Sequence, residues 1–116
     1  MKDIREFCIQ VARDSNHPYF RLGAVLVKDG NIVSFGSNLP SKMPSCYGLC
    51  AETRILRNPP RKAFRGATLY VARVVKCHDN PVMARPCKRC QQWIKTRHVK
   101  EVHYTDQDGR WIRETF

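Results

Sequence analysis

Apolar residues in the first stretch recur at helical spacing. Ile4, Phe7, Cys8 and Val11 form one stripe of a helix expected over residues 3–14, with charged positions between them. Ser15-Asn16-His17-Pro18 ends it, because the residue before a proline is pushed out of helical geometry. The period then shortens. Residues 23–28 (Gly-Ala-Val-Leu-Val-Lys) and 31–36 (Asn-Ile-Val-Ser-Phe-Gly) are short, β-branched runs on either side of Asp29-Gly30. Two such runs around an Asp-Gly pair predict a hairpin with a tight turn. Residues 37–49 carry two prolines and little periodicity, and read as a loop. A helical pattern returns at 50–57, where Ala51, Ile55 and Leu56 share a face, and Asn58-Pro59-Pro60 stops it. Residues 67–75 predict a third strand and 76–85 a polar loop. A helix over 87–97 is opened by Pro86, a residue suited to helix starts, and 99–104 alternate as a fourth strand. The remaining residues are polar apart from Trp111 and predict a short edge strand or a docked tail.

The order helix, strand, strand, helix, strand, helix, strand predicts an α/β fold. It is expected to be an α-β-α sandwich, with a single mixed β-sheet and helices on both faces. The 116 residues are expected to form one domain, residues 1–116, and contain no internal repeat. Cys8 lies on the first helix stripe and is expected to be a buried core thiol.

Charge changes the picture. Twenty-one Lys and Arg against 10 Asp and Glu give a net charge of +11, which favours polyanions or phosphorylated ligands through long-range attraction. A merely basic, solvated surface is the alternative, since the cations are scattered. No apolar run reaches membrane-spanning length, and Met1-Lys2-Asp3-Ile4-Arg5-Glu6 is too charged for a secretory signal, so no membrane partner and a cytoplasmic location are expected. In that compartment thiols stay reduced, and the six cysteines favour metal binding over disulfides. A thioredoxin-like redox pair fits poorly, because Cys87-Lys88-Arg89-Cys90 comes late in the chain and after Pro86.

The candidate chemistry lies in Cys50-Ala51-Glu52 and Pro86-Cys87-Lys88-Arg89-Cys90. Cys87 and Cys90 have the spacing that lets two thiols reach one metal, and Cys50 supplies a third. Three sulfurs leave a tetrahedral Zn²⁺ one open position, as a catalytic zinc requires. Both clusters fall at predicted helix starts, where the positive end of the helix dipole favours thiolates. Glu52, two residues from Cys50, can reach a water in the open position without ligating; its alternative is a first-turn carboxylate that complements the helix dipole. Three thiolates on Zn²⁺ carry a net −1, which cations such as Arg54, Lys88 or Arg89 are placed to offset, each being otherwise a solvated surface charge. Cys46, Cys77 and His78 read as loop residues, with a substrate entrance or a second metal as their alternatives. His98 caps the end of a basic helix, and His103 is a strand residue of packing or surface.

Cys-Ala-Glu followed by Pro-Cys-x-x-Cys resembles the zinc-dependent cytidine/deoxycytidylate deaminase superfamily. The likeness extends to Phe20-Arg21-Leu22-Gly23-Ala24, Gly36-Ser37-Asn38 and Ala67-Thr68-Leu69-Tyr70-Val71, and covers most of the chain from about residue 23 to 106. It implies Cys50, Cys87 and Cys90 as zinc ligands and Glu52 as the proton shuttle. It further implies Ala51 N–H on the base edge, Asn38 on the sugar, and Phe20 against the base, although Phe20 reads equally as a core aromatic. The implied reaction is hydrolytic deamination: zinc-bound hydroxide attacks carbon 4 of cytosine, and ammonia leaves to give uracil. Three positions depart from the subfamilies. Pro40 stands where nucleoside deaminases carry a ribose-binding glutamate, Thr53 where they carry arginine, and Cys50 where nucleotide and polynucleotide deaminases carry histidine.

The expected substrate is therefore a cytosine-containing nucleoside or nucleotide. The alternatives are cytosine or adenine within single-stranded DNA or RNA, favoured by the charge and the basic run 85–100, and a non-catalytic zinc-stabilised nucleic-acid-binding module. The last leaves Glu52 without a task. By resemblance alone, a homo-oligomer is implied.

Overall fold

The computed structural model describes residues 4–15, 20–37, 61–75, 81–86 and 88–116. Their elements are α1 (Ile4–Arg13), β1 (Phe20–Lys28), β2 (Asn31–Ser37), a 3-10 turn at Arg61–Ala63, β3 (Thr68–Val75), β4 (Pro81–Val82), α2 (Lys88–Thr96), β5 (Glu101–Thr105) and β6 (Trp111–Glu114). The helix expected over 50–57 lies outside the described residues.

The predicted hairpin is present. β1 and β2 pair antiparallel from Gly23 opposite Ser37 to Lys28 opposite Asn31, with a register shift between Leu26 and Val27. Its turn needs two left-handed residues, and Asp29 and Gly30 supply φ of 53° and 80°. β3 is antiparallel to β1 and parallel to β5, and β6 closes the far side against β5, so the order is β2-β1-β3-β5-β6. The sheet is mixed, as expected.

Two boundaries differ from the sequence reading. β1 begins at Phe20 rather than Gly23, because Phe20, Arg21 and Leu22 pair with Val75, Val74 and Arg73. That pairing depends on a distant strand, which local hydrophobicity does not encode. The expected loop 76–85 contains β4, whose Pro81 and Val82 pair with Val74 and Arg73. The C-terminal stretch takes the first of its two expected forms, an edge strand, with β6 paired from Val102 opposite Glu114 to Thr105 opposite Trp111.

Alternation along β1 and β3 divides the interior into two layers. On one face Cys8, Val11 and Ala12 of α1 pack on Val25, Val27, Ala72 and Val74. On the other, Ile94 of α2 packs with Ala24, Leu26, Leu69, Val71, Val102 and Tyr104. Among the described residues, α1 covers one face and α2 the other, which makes the α-β-α sandwich. Cys8 is fully buried, as its stripe position implied, and its thiol donates to the Gly23 carbonyl at 3.4 Å.

α2 ends in a Schellman motif. His98 sits in the left-handed region (φ 61°), with its N–H donating to Lys95 O and Val99 N–H donating to Ile94 O. The expected C-terminal capping role of His98 is thus a backbone role. His103 is a packing residue: its ring lies 4.7 Å from that of Tyr70, and its Nε2 is 3.0 Å from Glu101 Oε1. Among the described residues, no helix is long and apolar enough to cross a membrane.

Candidate zinc and active site

One end of the sheet gathers the chain segments that lead to the candidate residues. β3 ends there at Val75, β1 begins there with Phe20 opposite it, and β2 ends nearby with Ser37 opposite Gly23. Ser37 immediately precedes Asn38 in sequence. The link from β3 through α2 to the parallel strand β5 brings the start of α2 to this same end. The opposite end of α2 is fixed where Gly66 N–H donates to His98 O and Lys100 N–H to Ala67 O. In open α/β sheets, the region beyond the carboxyl ends of parallel strands is where ligands bind.

Residues 81–86 carry the chain from the sheet to α2, and several bonds hold them. Thr105 Oγ1 donates to Val82 O at 2.6 Å, and Ala84 N–H donates to Thr105 O at 2.8 Å. Arg73 Nη1 donates to Met83 O at 3.4 Å. Gln91, on the first turns of α2, donates from Nε2 to Pro86 O at 2.8 Å. Pro86 itself is buried.

Between these anchors, Arg85 reaches across to β6. Its Nε and Nη2 donate to Glu114 Oε1 and Oε2 at 3.0 and 2.9 Å, the planar fork that arginine makes with a carboxylate. Tyr104 O–H donates to Glu114 Oε1 at 2.8 Å, and Arg85 Cζ stands 5.5 Å from the Phe116 ring centroid. The Arg85 hydrogen bonds, followed by that of Tyr104, hold the Glu114 carboxyl below the usual carboxylate range. Burial, and then its bond to Glu114, pushes the Tyr104 phenol up.

Cys90 is 2% exposed and lies in the first turn of α2. A buried thiol beside the positive end of a helix has the chemistry of a soft-metal ligand, because the unsatisfied N–H groups favour the thiolate that Zn²⁺ binds. Lys88, on the same turn, is exposed. Just past the end of α2, Arg97 stacks 3.4 Å from the Trp93 ring centroid, and Trp93 meets Phe64 edge-on, so Trp93 is largely committed to packing.

Cys50, Ala51, Glu52, Asn38 and Cys87 lie outside the described residues, as do Cys46, Cys77 and His78. The structure gives Phe20 a backbone place at the head of β1. It therefore brings together the Phe20 backbone, the end of β2 and the start of α2 with Cys90. Sequence reasoning missed Arg85, Tyr104, Thr105 and Glu114. Arg85 and Glu114 are 29 positions apart and meet only through strand pairing, so no local pattern signals them.

The family model described as the cytidine and deoxycytidylate deaminase zinc-binding region matches residues 2–106. No curated protein matches the chain. Among solved structures, RibD of Acinetobacter baumannii matches with a TM-score of 0.61 and 23% identity over 89% of this chain and 27% of its own. This chain thus spans about a quarter of the RibD length. The dCMP deaminase of cyanophage S-TIM5 matches with a TM-score of 0.57 and 21% identity, over 92% of this chain and 86% of its own. A structure from a study of A-to-I editing at the wobble position of transfer RNA matches with a TM-score of 0.56 and 22% identity, over 91% and 79%. At these identities the structures show a shared fold. With the family match running through both cysteine motifs, the chain belongs to the zinc-binding cytidine and deoxycytidylate deaminase family.

Proposed function

We propose that this chain is a zinc-dependent hydrolytic deaminase that converts a cytosine base to uracil in a nucleoside or nucleotide. The observation that carries the reading is the family match across residues 2–106, which includes both Cys50-Ala51-Glu52 and Pro86-Cys87-Lys88-Arg89-Cys90. Cys50, Cys87 and Cys90 are the residues that would hold the zinc; the burial of Cys90 at a helix start fits that role. When bound, zinc supplies the Lewis acidity that makes water a nucleophile near neutral pH.

The chain's own groups do the rest. Glu52 accepts one proton from water and gives it to the ring nitrogen, then takes the second from the oxygen newly bonded to carbon 4 and gives it to the departing amine, so that the C–N bond breaks and ammonia leaves as a neutral molecule. Ala51 N–H orients the base through its polar edge, Asn38 holds the sugar, and Phe20 packs against the base. Water is a reactant, so the site must admit one molecule and exclude others while the base is seated.

Glu52→Ala should abolish ammonia release while zinc content stays near one per chain, measured by metal analysis beside a coupled ammonia assay. Undiminished turnover in that variant would refute the mechanism. A second reading, deamination within single-stranded DNA or RNA, is favoured by the net charge of +11 and by the likeness to the transfer-RNA editing structure. A panel of cytidine, deoxycytidine, their monophosphates and single-stranded oligonucleotides separates the two. Turnover confined to monomers, with no salt-sensitive oligonucleotide binding, eliminates the polymer reading.

A further inference from the structure

We propose that Glu114, acting through Arg85, is a positioning residue for the zinc-ligand segment: the last strand clamps the residue that precedes Pro86-Cys87 and thereby sets how Cys90 is presented. The inference rests on the reading that Cys87 and Cys90 hold zinc. Side-chain donors of Arg73, Thr105 and Gln91 bond the carbonyls of Met83, Val82 and Pro86, tying residues 82–86 to β3, β5 and α2. The Arg85 side chain adds the tie to β6.

Two features make that tie directional. The parallel bonds from Nε and Nη2 fix the plane of the guanidinium, which a single contact would leave free to rotate. Tyr104, 5% exposed and part of the core beneath α2, holds Oε1 of the same carboxylate, so Glu114 is referred to the packed sheet rather than to solvent. The Phe116 ring then lies against Arg85.

Exposure indicates which property the pair controls. The side chains of Arg85 and Glu114 are 46% and 32% exposed, and pairs this accessible to water add little to global stability. Holding a ligand segment within a few tenths of an ångström is a different demand, and a group behind the ligands meets it through geometry.

The test uses the whole chain, with Zn²⁺ affinity measured by chromophoric-chelator competition and Co²⁺ substitution read by visible d–d absorption. Arg85→Ala and Glu114→Ala should each weaken zinc binding by about tenfold and shift the Co²⁺ bands, as loss of supporting partners does at other zinc sites. The double variant should lose no more than either single. Arg85→Lys keeps the charge and removes the fork, so it should weaken zinc binding while the urea midpoint of the zinc-free chain stays close to that of the unchanged chain. Arg85→Lys and Glu114→Ala chains that bind zinc as tightly as the unchanged chain, or losses that simply add in the double variant, overturn the proposal. Failure of the unchanged chain to bind zinc, or full binding by Cys87→Ser and Cys90→Ser, overturns the ligand reading beneath it instead.

Discussion

Replacing Gly23 by alanine places a methyl group where α1 crosses β1. An ideal Cβ at Gly23 would lie 2.4 Å from Ala12 N, 2.8 Å from Cys8 O and 2.9 Å from Ala12 Cα. All three are backbone atoms, so no side chain can rotate away. Ordinary contact begins near 3.4 Å, and the helix must retreat by about 1 Å, a gap that forfeits a quarter to a half of the van der Waals well at the contacts it leaves. Those contacts include the layer of Cys8, Val11 and Ala12 on Val25, Val27, Ala72 and Val74.

Overpacking of this kind costs about 1–3 kcal/mol, and a rigid backbone obstacle belongs at the upper end. Alanine also restricts the unfolded chain, which offsets about 0.4–1 kcal/mol. The expected net loss is about 2 kcal/mol. With a urea dependence of about 2 kcal/mol per molar, the midpoint of a urea titration followed by far-ultraviolet circular dichroism should fall by about 1 M. Gly23→Val should fall further or fail to fold. A Gly23→Ala midpoint within about 0.2 M of the unchanged chain would show that the helix is not held by this approach.

Other outcomes follow from particular contacts. His98→Gly should stabilise the zinc-free chain by about 1 kcal/mol, because glycine adopts the left-handed C-terminal position of α2 without the steric penalty histidine carries; an equal or lower urea midpoint counts against this. Thr105→Val removes the donor to Val82 O at a site with no exposure and should destabilise by about 1–3 kcal/mol, read by the same titration. The Glu114 carboxyl titrates below its ordinary value of 4.5 in the fold because Arg85 favours its ionised form. Its contribution is therefore present above pH 4.5 and is lost as pH falls through the folded value. That contribution is small for so exposed a pair, so the titration is read directly by NMR: the Glu114 carboxyl midpoint should lie below 4.5 and rise in Arg85→Ala, and a midpoint unmoved by that substitution would contradict the assignment.

Much of the fold was legible because its causes are local. The α1 stripe of Ile4, Phe7, Cys8 and Val11 requires only a 3.6-residue period, and the hairpin requires Asp29 and Gly30 to tolerate positive φ. β1's first residues were not legible: Phe20-Arg21-Leu22 become strand through pairing with Val75, Val74 and Arg73. β4 is a two-residue strand for the same reason, since Pro81 and Val82 show no periodicity of their own. The candidate chemistry divides likewise. Cys50, Glu52, Cys87 and Cys90 are candidates that spacing alone singles out, because metal ligation restricts residue type and separation within a short segment.

By itself, then, the sequence determined the helical and strand periods, the hairpin turn, the candidate cysteine-carboxylate motifs and the family, all set by residue type over a few neighbouring positions. The tertiary structure alone decided which strands share an edge, which helix covers which face, and how Arg85 meets Glu114 behind the start of α2. Those contacts join positions far apart in the chain, and their geometry exists only once the sheet has paired and its two faces have been covered.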